Sequence, residues 1–510
     1  MKNMLNDKII LLPAAISFMV ACLLLFKFSY PISWDVYYHI HMANLYLNNG
    51  LVFWDYSTVA PMGRLIMYPP LFHLFLGLIC TLFNLDAFKV AWLLQPFFAF
   101  FMIFTIGYVS YRLSDCNVTV SLLTSFMAMM SFATFNRCVI CTPATLAIAF
   151  SMLSLLFYYE AFDEDSIKKL LCSVISLVLI CNLHMATAII TCGVLLLYTL
   201  YLILSGNINL KYLLCYIILS FILASPWWLY ISLNYTLVFN SLAGSYLRID
   251  EFLIKYYGII PSLFTFVGFY CLIRDRSIKS ILLLIWALSI VLLSQVPLLG
   301  IDTVSIRIFE VSAYPLILIA GMGAYAVLNR IGSGNLRYLF VIFIVFYSIF
   351  ASVAYVDSYT PNLLDDDDYN ATLLPDTYHI IFDPVGSILK PSIISDRCAD
   401  SRLAHDREDI RKYLVDHNIT GLVVSEDAVM DTIIVSSSNA SVVYGGFTES
   451  IPEYVTDPVH IVNSQATLNE LDDLQVKYIL LKNRNESSIP TYCEVEYEND
   501  DYRLCKVVLK

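Results

Sequence analysis

Residues 30–75 concentrate the groups of this chain that can do chemistry. They read Trp34-Asp35-Val36-Tyr37-Tyr38-His39-Ile40-His41, then Asn49-Gly50, Phe53-Trp54-Asp55, Pro61-Met62-Gly63-Arg64 and Tyr68-Pro69-Pro70-Leu71-Phe72-His73. Long apolar runs flank this stretch, and ionisable residues between such runs belong to an interface or a site. In a helix from Trp34 to Leu47, Asp35 and His39 are four apart and share a face, with His41 turned elsewhere. A carboxylate so placed can take a proton. Further along, Arg137, His184 and Arg307 stand beside apolar segments, and the planar fork of an arginine grips an oxyanion through two hydrogen bonds.

The elements that must position these residues are set by composition. The chain is 59% hydrophobic and 14% charged, with a mean hydropathy of +0.71, whereas soluble domains are about a quarter charged. It is a polytopic membrane protein. Charge is unevenly divided: residues 357–510 hold 28 of the 42 acids and 12 of the 30 bases, a net of −16, against +4 for the remainder. This asymmetry predicts an α-helical membrane domain over 1–356 and an acidic soluble domain over 357–510. No basic patch points to nucleic acid.

Ile9 to Lys27 is apolar and follows Lys2 and Lys8 without a small-residue cleavage site, so a retained first helix is expected, not a signal peptide. Further spans are expected at 88–110, 118–136, 143–160, 168–183, 184–204, 211–230, 256–273, 279–297, 307–328 and 337–356, each near the ~20 residues a bilayer requires. Pro69 to Asn84 is short and opens on two prolines. If it does not span, Arg112, Lys168, Lys169, Lys211, Arg274, Arg276, Lys279, Arg330 and Arg337 all fall in cytoplasmic connections, as the excess of bases on that side requires. It is therefore read as re-entrant or interfacial. Eleven spanning helices follow, with the N-terminus cytoplasmic and the loop 28–87 and the C-terminal domain outside, at the plasma membrane.

This topology brings Asp35, His39, Asp55, Arg64, His73, Arg137, His184, Trp227, Trp228, Asp302 and Arg307 to one membrane face. Their mixed sign suits a cavity that binds an anionic headgroup and also works on it.

The order Asp35-x-x-Tyr38-His39, a glycine-containing stretch, then Tyr68-Pro69-Pro70 before a hydrophobic helix resembles the first outer loop of the GT-C superfamily of integral-membrane glycosyltransferases. The similarity is nearest to archaeal oligosaccharyltransferase catalytic subunits and to membrane proteins described as 6-pyruvoyl-tetrahydropterin-synthase-related. It continues at Asn136-Arg137, Asn182-Leu183-His184 and Ser305-Ile306-Arg307-Ile308-Phe309, and covers about residues 9–330. The resemblance implies a GT-C-like fold and sugar transfer from a polyprenyl-phosphate or pyrophosphate carrier to a glycan or protein acceptor on the outer face. Asp35 is then the expected catalytic base, Arg307 the expected phosphate ligand, and His39, Arg137, His184 and Arg64 expected substrate-binding residues.

Two features depart from the oligosaccharyltransferase pattern. After Arg137 the residues are Cys138-Val139-Ile140-Cys141-Thr142-Pro143, with no second acid, and no Trp-Trp-Asp occurs in 357–510. Neither transfer of a whole oligosaccharide to asparagine nor a bound divalent cation, magnesium or manganese, is implied by these residues. Asp35 and His39 alone are too few to ligate one. Displacement at an anomeric carbon with a phosphate leaving group needs only a base and cations; one in-line step would invert that carbon, through an oxocarbenium-like state that carboxylates stabilise.

Plainer readings stand beside these. Asp35 also suits a helix N-terminus, His184 a packing hydrogen bond, Arg307 an interface anchor, and the loop aromatics an interfacial belt. Asp55 and His73 read as structural. Cys138-x-x-Cys141 lacks the strand-helix context of a redox motif. Cys493 and Cys505 flank Glu498-Asn499-Asp500 at equal distance, which predicts a hairpin and a disulfide. The soluble domain reads α/β: a helix Arg407 to Asn418 before a strand Gly421 to Ser425, a helix Leu468 to Leu474 before a strand Val476 to Leu481, and strands Ile433 to Ser436, Val442 to Gly445 and Arg503 to Leu509. The Asp365–Asp368 run reads as a solvated linker, and sequons lie at Asn234, Asn370, Asn418, Asn439 and Asn485.

Two other function classes fit the composition. A lipid-linked glycan flippase would spread its ionisable residues through both halves of the membrane, whereas here they gather outside. A non-catalytic relative would bind glycans or assembly partners through its outer domain. With no nucleotide-binding loop in the sequence, a nucleotide-sugar donor is not expected.

Overall fold

The computed structural model describes residues 8–235, 246–301, 303, 305–332, 334–357, 374–382, 406–445, 468–483 and 489–508. Asp302, the Asp365–Asp368 run and the sequons at Asn370 and Asn485 lie outside them. Each of the eleven apolar segments is helical. Among the described residues seven helices are long and apolar enough to cross a membrane: Ile9–Lys27, Ala87–Leu113, Pro143–Asp163, Met185–Leu204, Leu210–Asn234, Ser305–Arg330 and Asn335–Asp357. Ile167–Leu183 and Ile259–Asp275 have 17 residues, and Ile278–Leu293 has 16. The segment expected at 118–136 is broken: Val118–Met130 and Phe132–Cys138 meet at 84° about an extended Ser131, and together they make an eighth candidate. Leu71–Phe83 is a short apolar helix of 13 residues, started after Pro70 and ended by a left-handed Asn84.

Small residues let these helices approach closely, as expected where lipid supplies no hydrophobic drive for their association. Gly321 lies against Thr124, Gly323 against the Phe264 backbone, and Gly268 against Ile319. The packing fixes Ser305–Arg330, one of the most buried spans, next to Val118–Met130 and Ile259–Asp275.

The C-terminal part is a five-stranded sheet in the order Asn439–Val442, Thr420–Ser425, Val476–Lys482, Tyr502–Val507, Cys493–Glu498. The first three strands run parallel, and the last two form an antiparallel hairpin. Alternation along each strand feeds two cores. Val423, Leu480 and Leu504 face Ile410, Leu414 and Ile433 from helices 406–416 and Ala428–Ser437, while Val424, Ile479 and Leu481 face Leu471.

Three expectations are corrected here. Ile433 to Ser436 is not a strand but the end of helix Ala428–Ser437: Asp427 caps that helix by accepting from Val429 N, and the β-branched run is buried on its inner face. The strand expected from Val442 ends at that residue. Cys493 and Cys505 lie in the expected hairpin, but Asn499 N donates to Tyr502 O, which centres the turn between Asp500 and Asp501 and not on Asn499, and a bulge follows Val495. Cys493 therefore opposes Val507, Cys505 opposes Val495, and both thiols are free.

The sheet domain sits on the first loop. His41 Nδ1 lies 3.1 Å from Val435 O, Asn44 donates to Ser436 O, and Ala60 N and Val442 N bond across to Val442 O and Ser57 O. Arg411 stacks over Phe88 at 3.9 Å.

Candidate functional site

The loop helix is Asp35–Asn49, with Asp35 in its first turn, where the helix dipole favours a carboxylate. As the four-residue spacing requires, Asp35 and His39 share a face, and His41 points instead to Asp55 at 2.9 Å. Asp55 also accepts from Thr58 Oγ1 and Ser57 N. That pair is structural. Burial alone would raise the Asp55 carboxyl, but the His41 imidazole and these hydrogen bonds outweigh it and hold it far below the usual range.

Asp35 meets Arg307 from the first turn of Ser305–Arg330 at 3.7 Å. Arg307 is 3.7 Å from Glu310, one turn along the same helix, and Glu310 is 2.8 Å from Arg137 in Phe132–Cys138. The break at Ser131 turns Phe132–Cys138 so that Arg137 reaches this group. Four side chains from three elements thus form one chain of alternating charge. Arg137 closes its deep end with 9% side-chain exposure, and Arg307 is half-exposed, at 51%.

A ring cluster adjoins this chain. His39 Nδ1 and His73 Nε2 share a hydrogen bond of 3.0 Å between stacked rings, and Tyr68 packs at 5.1 Å from His39 and 6.3 Å from His184. Burial, then the neighbouring His73 and His184 rings, push His39 well below its ordinary value and keep it neutral. His184 caps Met185–Leu204, with Nδ1 2.8 Å from Thr187 Oγ1, and lies within the field of Arg137 and Arg307. Arg64 belongs to the loop hairpin. Its backbone pairs with Asp55, and its guanidinium lies 5.5 Å over the Tyr38 ring. Nearby, Leu71, Phe75, Phe97, Phe101, Phe150 and Leu183 line an apolar cavity of about 370 Å³.

Asp35, Arg307 and Arg137 are therefore brought together, with His184 and His39 beside them. One member, Glu310, escaped the sequence reading, and another, His73, was read there as structural. Glu310 sits three residues after Arg307, and an acid at that spacing in an apolar span was the signal for it. His73 is the partner of His39.

No family model matches the sequence, and no curated protein matches it. Solved structures do. The oligosaccharyltransferase AglB from Archaeoglobus fulgidus, in complex with an inhibitory peptide and a dolichol-phosphate, superposes with a TM-score of 0.61 at 12% identity over 94% of this chain and 70% of that one. ArnT from Cupriavidus metallidurans bound to undecaprenyl phosphate gives 0.60 at 11%, over 97% of both chains. The mycobacterial arabinofuranosyltransferase AftD gives 0.60 at 15%, with 98% of this chain on 40% of that one. The archaeal enzyme is also known in complex with Zn and sulfate.

A divalent cation does not fit the donor set here. Among the described residues no three His, Cys, Asp or Glu side chains converge, and both carboxylates of the charged chain face guanidinium groups. Three transferases share the path of this backbone nearly end to end, and the fold of the chain is that of the GT-C glycosyltransferases.

Proposed function

We propose that this protein is a membrane glycosyltransferase that moves a sugar from a polyprenyl-phosphate or pyrophosphate donor to a glycan or protein acceptor on the outer face of the plasma membrane. The observation that carries the reading is the 3.7 Å approach of Asp35 to a half-exposed Arg307, with Arg137 behind it. The likeness to enzymes seen with dolichol-phosphate and undecaprenyl phosphate supports it. The apolar cavity offers a surface for the isoprenoid. The N-terminus is cytoplasmic, the membrane domain comprises 1–356, and the outer domain comprises 357–510.

In this mechanism Asp35 takes the proton of the acceptor hydroxyl while its oxygen attacks the anomeric carbon. The bond from that carbon to the phosphate oxygen breaks, and its electron pair leaves with the phosphate. Protonation of Asp35 removes the carboxylate facing Arg307 at the moment the phosphate gains charge, so the guanidinium becomes available when the leaving group needs it. A single displacement inverts the anomeric carbon.

The test supplies radiolabelled polyprenyl-phosphate and polyprenyl-pyrophosphate sugars to membranes containing the wild type or Asp35→Asn. Loss of transfer by about 10²–10⁴-fold at equal expression is expected for a base. Equal transfer by both proteins overturns the assignment of Asp35, and no transfer from either overturns the function.

A further inference from the structure

Charge in the site is balanced before any donor arrives. Arg137 and Arg307 contribute two positive charges, and Asp35 and Glu310 two negative ones. The adjacent His39 and His73 share one hydrogen bond and are buried, and that burial disfavours the charged form of both rings, so they add no compensating cation. Both carboxylates are held by the guanidiniums, which leaves no second group of donors for a divalent cation among the described residues. Glu310 matters most. It approaches both arginines and takes no proton in the proposed reaction, whereas Asp35 is neutralised when it takes the acceptor proton.

The leaving group then decides between donors. A sugar phosphodiester carries one negative charge and departs as a polyprenyl monophosphate with two. A pyrophosphate donor carries two and departs with three. After proton transfer the four side chains sum to +1, so the first case leaves a net of −1 in a low-dielectric site and the second −2, where each unmatched charge is costly.

Resting on the transferase reading above, we infer that the donor is a polyprenyl monophosphate sugar and that Glu310 is the residue that excludes the pyrophosphate. Glu310 occupies the place on Arg137 and Arg307 that a second phosphate would need. It acts as an internal substitute for that phosphate.

The test uses lipids without a sugar, so the identity of the sugar does not enter. Full-length protein in nanodiscs is titrated with undecaprenyl phosphate and undecaprenyl pyrophosphate, with and without EDTA. The monophosphate should bind on the order of tenfold more tightly in either buffer, and Glu310→Gln should narrow that gap by strengthening pyrophosphate binding. Arg307→Gln should weaken both lipids. Equal or tighter binding of pyrophosphate that still depends on Arg307 overturns the inference and leaves the transferase reading standing. A gap unchanged in Glu310→Gln overturns the role of Glu310. Binding of neither lipid, or binding indifferent to Arg307→Gln, overturns the donor site and the transferase reading with it.

Discussion

Glu310 holds the deepest charge of the site in place. Arg137 is almost wholly enclosed, and it pairs with Glu310 at 2.8 Å. Replacing Glu310 by Ala strands a buried guanidinium, and breaking such a pair costs about 3 kcal/mol. Thermal unfolding in detergent should show a clear loss of stability, while Arg307→Ala, at a half-exposed position, should leave the transition nearly unchanged. Asp55 gives a second residue-scale prediction. Its carboxyl is depressed in the folded protein, so its stabilisation is present above the unfolded value near ~4 and is lost as pH falls through the folded one. The transition should drop on acidification, and Asp55→Asn should be less stable at pH ~7 with a flatter acid limb. Asp35, Arg307, Arg137, His184 and His39 were legible because each interrupts an apolar context. Glu310 was not, because an acid one turn from an arginine also reads as a simple surface pair, and only the neighbouring helix shows that its second partner is Arg137.

At the scale of elements, apolar length was readable and geometry was not. All eleven apolar segments became helices, but the break at Ser131 has no proline or glycine to mark it in the sequence. Ile433 to Ser436 is rich in β-branched residues, and its burial against the loop helix overrode that propensity. The cysteine register failed because the turn closes over Asn499 to Tyr502, past the midpoint of the two cysteines, and the bulge after Val495 takes back only one residue of that offset. Helix contacts in the membrane part rest on small residues, and two glycines separate that role from mere presence. A Cβ on Gly321 would collide with Thr124, whereas one on Gly193 meets nothing. Gly321→Val should therefore destabilise by about 1–3 kcal/mol through overpacking, and Gly193→Ala should be neutral or slightly stabilising, by at most about 1 kcal/mol. Melting temperatures of the two variants in one detergent check the contrast, and equal shifts would remove close helix approach as the reason for Gly321.

The two ends of the helical body differ in kind, and that difference orients the molecule. Lys27, closing the first long helix, pairs with Asp357, closing the last, at 2.9 Å. Both helices therefore finish on one side, where the first loop and the sheet domain meet through His41, Asn44 and Ala60. The other side gathers Arg112 and Lys169 around the buried Glu160, with Lys279 on Asp115. Bases concentrate in cytoplasmic connections, so this second side should face the cytoplasm and the charged chain from Asp35 to Arg137 the exterior. Cys116, exposed in the connection beside Asp115, reports on the second side. Asp416, exposed on the sheet domain, can report on the other when changed to Cys. With a membrane-impermeant maleimide, Asp416→Cys should add label in intact cells, whereas Cys116→Ser should remove label only after permeabilisation. The opposite pattern would place the base and both arginines in the cytoplasm, where an acceptor on the cell surface could not reach them.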